Sequence, residues 1–139
     1  MGHLSQAAPT FAAEERNVSH IVTIEAEARD PAAVVAACRR LGLPAPAPGT
    51  AKLFDGEAAG LLVRLPGWLY PAVIEPDTGK VRYDNYGGQW GDPAQLGRFL
   101  QAYALEKAAI EAQKKGYTTT ERALADGSVR LTVTVGGGA

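Results

Sequence analysis

Val129-Arg130-Leu131-Thr132-Val133-Thr134-Val135, preceded by Tyr117 to Leu124 and the turn Ala125-Asp126-Gly127-Ser128, decides how the rest of the chain is read. Apolar and polar residues alternate along the run without a break, the period of a strand with one packed face. Asp-Gly between two such runs marks a hairpin turn. Residues 118–124 are therefore expected to pair antiparallel with 129–135. The Gly136-Gly137-Gly138-Ala139 end reads as a flexible tail, although a hairpin followed by Gly-Gly also has the form of a ubiquitin-like modifier.

Upstream of the hairpin lies a long helical pattern. Asp92-Pro93 opens it, with Asp suited to the N-cap and Pro to the first turn, and Gly116 closes it. Leu96, Phe99, Leu100, Tyr103 and Ile110 form its apolar face, and Arg98, Glu106, Lys107, Glu111 and Lys114 its exposed one. Asp30-Pro31 repeats the opening, and Gly42 ends a second helix in which Val34, Val35, Cys38 and Leu41 recur at helical spacing. On this reading Cys38 is a small core hydrophobe.

Between the helices the periodicity changes to two. Tyr70–Glu75 and Val81–Tyr86 flank Pro76-Asp77-Thr78-Gly79, which predicts a second hairpin. Val81 and Tyr83 are placed on its packed face, Arg82 and Asp84 on its wet one. Leu61–Leu65 reads as another strand, and His20–Ala26 as the first, with Val22, Ile24 and Ala26 on one face. Pro44, Pro46 and Pro48 predict an extended connection outside any ladder. The order is then β-α-β-β-β-α-β-β, an α+β domain over 18–135 with a mostly antiparallel sheet and both helices on one face. A ferredoxin-like core with added strands is the topology this order suggests. Residues 1–17 read as a mobile, Ala-rich leader.

Composition narrows the function. The chain has 139 residues, a net charge of −1, one cysteine and two histidines. A chain this long buries roughly two-thirds of its unfolded surface, so it folds without disulfides or metals. The charge balance argues against a phosphate-binding nucleic-acid surface. No apolar run approaches the ~20 residues of a membrane span, and the N-terminal stretch lacks a signal-peptide pattern. A soluble, cytoplasmic protein without cofactor or metal is expected, with a homo-oligomer left open. His3 and His20 with Cys38 cannot make a zinc site, and Ser19 beside His20 is no triad, because strand neighbours point to opposite faces.

One cluster concentrates polar and aromatic groups: Tyr83, Asp84, Asn85, Tyr86, Gln89 and Trp90. Glycines interleave it, and it feeds the N-terminus of the second helix. No lysine or hydroxyl stands where a phosphate loop needs one. Gln101 and Tyr103 follow shortly on that helix and are added as candidates to converge on the same region. The competing interpretation is that the aromatics are core and that Asp84 and Asn85 shape the turn.

From Ser19 to Val135 the chain resembles the family catalogued as domain of unknown function 1257, whose cyanobacterial and plastid members are the chloroplast hypothetical open reading frame 35 type. Three pieces carry the resemblance: Ser19-His20-Ile21-Val22-Thr23-Ile24, Phe99-Leu100-Gln101-Ala102-Tyr103-Ala104, and Gly116-Tyr117 with Asp126-Gly127-Ser128 and Leu131. Val18 stands where the family begins with Met, and Trp68–Trp90 departs most from the plastid type. The resemblance implies no established activity and no agreed catalytic residues. Genes of the family lie near ATPases of the AAA type, which implies an accessory role. The expectation is a binding or adaptor module acting through a protein partner. The alternative is a small-ligand binder or enzyme using the Tyr83–Trp90 region, and the third reading is the Gly-Gly modifier.

Overall fold

The computed structural model describes residues 21–135. The expectations for 1–17, for Ser19 and His20, and for 136–139 lie outside the described residues.

Both Asp-Pro pairs cap helices. Asp30 Oδ1 accepts the Ala32 N–H at 2.9 Å where α1 (Pro31–Leu41) begins, and Gly42 ends it at φ 71°. Asp92 Oδ1 accepts the Ala94 N–H, also at 2.9 Å, where α2 (Pro93–Lys114) begins. In each case a side-chain oxygen satisfies an amide that the first helical turn leaves without an intrahelical partner.

Seven strands are present among the described residues: β1 (Val22–Glu25), β2 (Ala47–Leu53), β3 (Gly56–Val63), β4 (Ala72–Glu75), β5 (Lys80–Tyr83), β6 (Thr118–Ala123) and β7 (Val129–Thr134). The first five make one sheet in the order β1-β5-β4-β3-β2, and β6 and β7 make a ladder of their own. The class is α+β, as the sequence predicts. The hairpins β4–β5 and β6–β7 have the expected partners, with Ile74 opposite Val81 and Glu121 opposite Leu131.

Two expectations are corrected. The predicted order lacks one strand, because the proline-rich stretch runs into β2, where Pro48 stands opposite Leu61. β2 is the sheet edge, and an edge tolerates proline where the missing N–H would face away from the ladder. Its partner β3 accordingly starts at Gly56, well before Leu61. The ferredoxin-like topology is also replaced. Every pairing is antiparallel, so the main sheet has no parallel pair of the split β-α-β kind, and the last hairpin does not join it.

The main core lies between one face of the sheet and the two helices. Val63, Ile74 and Val81 of the sheet meet Val34 and Cys38 of α1 and Phe99 of α2, all fully or almost fully buried. Cys38 is a core residue, and burial pushes its thiol pKa up. Val35, expected in the buried stripe, is 37% exposed; Ala33 and Ala37 fill the interface instead. Small residues there let the helices approach closely.

A smaller cluster covers the other sheet face: Ala51, Leu53 and Ala58 of the β2–β3 hairpin, with Val73 of β4. Glycine makes it possible. Gly49 and Gly60 are directly opposite each other in the hairpin. A Cβ on Gly60 would stand 2.3 Å from the Ile74 carbonyl oxygen. Glycine inside a strand marks such close backbone approach and the tight bends that go with it. The hairpin tip reaches Ile21, just before β1 at the opposite sheet edge, whose Cδ1 lies 3.5 Å from where a Gly56 Cβ would be. The hairpin thus crosses the face of its own sheet and brings its tip residue, Phe54, to the loop that follows β5.

Candidate binding surface

The loop from Asn85 to Gly91 is built from its backbone outward. Tyr86 has φ 51°, a left-handed conformation that costs a non-glycine residue, and Gly87 and Gly88 follow at φ 62° and 102°. The Asn85 carbonyl accepts from Gly88 N–H at 3.0 Å and from Trp90 N–H at 2.8 Å. Asn85 Nδ2 donates to the Gly91 carbonyl at 3.1 Å, and Asp84 Oδ1 accepts the Tyr86 N–H at 3.3 Å. Asp84 and Asn85 are both buried. Asp84 was expected on the wet face of the hairpin; it lies instead just past β5, where the chain turns inward. These two side chains tie the loop closed.

Trp68 seals the loop from beneath. Its Nε1 donates to the Asp92 carbonyl at 3.0 Å, and its ring meets Tyr83 edge-on at 5.6 Å. Gly91 lies so close that a Cβ would fall 2.4 Å from Trp68 Cδ2. Tyr83 is core, and burial pushes its phenol pKa up.

Trp90 faces the other way and gathers three rings. Tyr86 is 4.6 Å from it at a tilt of 30°, Phe54 5.5 Å away edge-on, and Tyr70 5.8 Å away edge-on. Leu69 joins by a 2.9 Å hydrogen bond from its N–H to the Trp90 carbonyl. Trp90, Tyr70 and Tyr86 are half-buried, while Phe54 is 65% and Leu69 56% exposed. Such tilted and edge-to-face rings form a contiguous aromatic platform.

The eight residues selected from the sequence therefore separate into groups. Tyr86 and Trp90 are in the platform, and Gln89 is exposed on the same loop. Asp84 and Asn85 are its frame and Tyr83 its floor. Gln101 and Tyr103 do not converge on it. Gln101 Nε2 donates to the Gly127 carbonyl in the β6–β7 turn at 3.3 Å, and the buried Tyr103 hydroxyl accepts the Asp30 N–H at 3.0 Å between the helices. Phe54, Leu69 and Tyr70 were missed. The available signal was an aromatic residue at a hairpin tip, Phe54-Asp55-Gly56, and a Trp-Leu-Tyr run after Pro66-Gly67.

A cavity opens elsewhere, between Leu41 at the end of α1 and Leu43 just beyond it, Leu65 and Pro66 after β3, and Gln95 and Arg98 of α2. None of the eight residues lines it. No group of three His, Cys, Asp or Glu among the described residues could hold a metal ion. No described helix is long and apolar enough to cross a membrane. No protein-family model, curated protein or solved structure matches the chain.

Proposed function

We propose that this chain is a binding module that engages a protein partner through the aromatic surface around Trp90. One observation carries the reading: two large apolar side chains stand exposed next to Trp90, Phe54 edge-on to its ring and Leu69 on the residue whose N–H donates to the Trp90 carbonyl. Covering what is left exposed of each would recover about 1–2 kcal/mol of transfer free energy. The platform is already ordered by ring contacts and by the closed loop, so little entropy is lost when a partner docks. Aromatic anchors of this kind supply most of the energy in interfaces where they occur. The matching ligand is a partner segment with aliphatic side chains. An AAA-type ATPase, the partner implied by the family resemblance, is the first candidate.

The test uses Phe54→Ser combined with Leu69→Ser, because both side chains are exposed and their loss leaves the core intact. The wild-type chain should retain a partner, from cells or as purified ATPase, that the folded double variant binds at least tenfold more weakly, or about 1.4 kcal/mol. Equal retention by a variant with unchanged circular dichroism would refute this surface.

A further inference from the structure

The open edges of the two sheets differ. β2 carries Pro48, Gly49 and the exposed Lys52. β1 is four residues long and ends at Glu25, which lies 3.8 Å from Lys80. Proline, charge and shortness are devices that stop a sheet edge from recruiting another strand. β7 has a single charge, Arg130, and neither proline, glycine nor lysine in its six residues. It is also the outer strand. β6 is the one that lies along α2, and Glu121 of β6 pairs with Arg40 of α1.

The phase of the hairpin tells which backbone groups β7 leaves open. Leu124 N–H donates to the Ser128 carbonyl at 2.9 Å. Counting onward by the two-residue repeat of an antiparallel ladder, Arg130, Thr132 and Thr134 direct their backbone groups at β6. Val129, Leu131 and Val133 direct theirs outward. The side chains of these same residues share the apolar face, which ends uncovered: Val133 is 41% and Val135 68% exposed.

We infer that β7 is a self-association edge, and that its occupant is β7 of a second copy, antiparallel and centred on Thr132. The strand is complementary to itself in that register. Leu131 falls opposite the second copy's Val133, and Val129 opposite its Val135. Thr132 meets Thr132, and Arg130 meets Thr134, which keeps the two arginines apart. Residues with outward N–H and C=O groups fall opposite one another, so the open groups of both copies are satisfied together. Moving the register by one residue would set outward groups against inward ones. A two-stranded ribbon, marginal by itself, becomes a four-stranded sheet through an isologous contact. This surface is distinct from the Trp90 platform and does not depend on it.

Sedimentation velocity over a concentration series tests the inference. The wild-type chain should be dimeric. Val133→Pro removes an outward N–H while sparing the β6–β7 ladder, and Val133→Lys places a charge on an exposed apolar position. Each should weaken dimerisation at least tenfold. If the proline variant loses strand signal by circular dichroism, the lysine variant decides. Thr132→Cys, treated with a mild oxidant, should form a disulfide-linked dimer through its own two-fold position, and Arg130→Cys should not. The Phe54→Ser and Leu69→Ser changes should leave the dimer intact. A wild-type chain that is monomeric throughout, a dimer that the decisive Val133 variants leave unweakened, or equal cross-linking by both cysteine variants would overturn the inference.

Discussion

Two glycines on opposite sides of one cap show how a single methyl group can change sign. Gly91 precedes the cap residue Asp92 and lies flat against the Trp68 ring, with three ring atoms within 2.4–2.6 Å of where a Cβ would be. Gly97 lies inside α2 with nothing within 4 Å of its Cβ position. Gly91→Ala should therefore destabilise the fold by about 1–3 kcal/mol through overpacking. Gly97→Ala should stabilise it by about 0.5–1 kcal/mol, because the helical backbone suits alanine and the unfolded chain loses freedom. Thermal melts of the two variants should move in opposite directions; a fall for both would mean that Gly97 meets a neighbour the packing does not show. The Trp68–Gly91 contact was not readable in sequence. Pattern identifies which residue types neighbour each other along the chain, whereas this ring arrives from a different loop. The fates of Gln101 and Tyr103 have a simpler reason. Residues two apart on a helix, as Gln101 and Tyr103 are, are turned about 200° from each other, so their side chains do not share a target.

At the scale of elements, the two Asp-Pro caps, the β4–β5 turn and the final hairpin were all legible, because each rests on local chemistry: a cap oxygen, a fixed φ, an alternating face. β2 and the first half of β3 were not. Prolines argued against the one, and Glu57-Ala58-Ala59-Gly60 has too little apolar bulk to signal the other. What holds these elements together also varies with pH. Asp30 caps α1 and meets Lys107 of α2 at 3.1 Å, while Lys107 lies 2.8 Å from Glu111. Burial pushes the Asp30 carboxyl up, but the Lys107 ammonium and the Ala32 and Ala33 amides outweigh it and hold it below the ordinary 3.8. A carboxyl lowered in the folded state contributes stability that is complete above its unfolded value and lost as pH falls through the folded one. Acidification from neutral pH to below about 4 should therefore weaken the helix pair. Asn caps a helix about as well as Asp but carries no charge. Asp30→Asn should accordingly melt lower than wild type at neutral pH and lose less on acidification. Parallel melting curves for the two proteins across that range would remove Lys107 from the account.

Considered whole, the molecule has a sheet with unequal sides. One face is covered by two helices that bury Val34, Cys38, Leu96 and Phe99 against it. Among the described residues, the other is covered by the outer half of the β2–β3 hairpin, through Ala51, Leu53 and Ala58 on Val73, with Ile21, Leu62 and Tyr70 packed at the margin. Since burial of apolar area is the main source of stability, the hairpin-covered face should open first, as a unit, while the helix-covered face stays closed. The same hairpin carries Phe54 to Trp90, so the cover and the Phe54 side of the aromatic platform form or open together. This long-range link was hidden in the sequence: Phe54, Tyr70 and Trp90 belong to three separate loops, and the folded-over hairpin is what brings Phe54 to the other two. Leu53 is the largest buried side chain of the hairpin in this contact and is 6% exposed. Leu53→Ala should cost about 2–3 kcal/mol, near the lower end for a buried leucine because its cluster is small. Amide exchange should show where that loss falls. In the wild type, 50–59 should exchange faster than 72–75 and 81–83, and in the variant the gap should widen while α1 and α2 keep their protection. Partner binding at the Trp90 surface should weaken with it, since Phe54 no longer stays in place. Uniform loss of protection across both faces would mean instead that the sheet and its hairpin cover are one cooperative unit, with the platform no more mobile than the core beneath it.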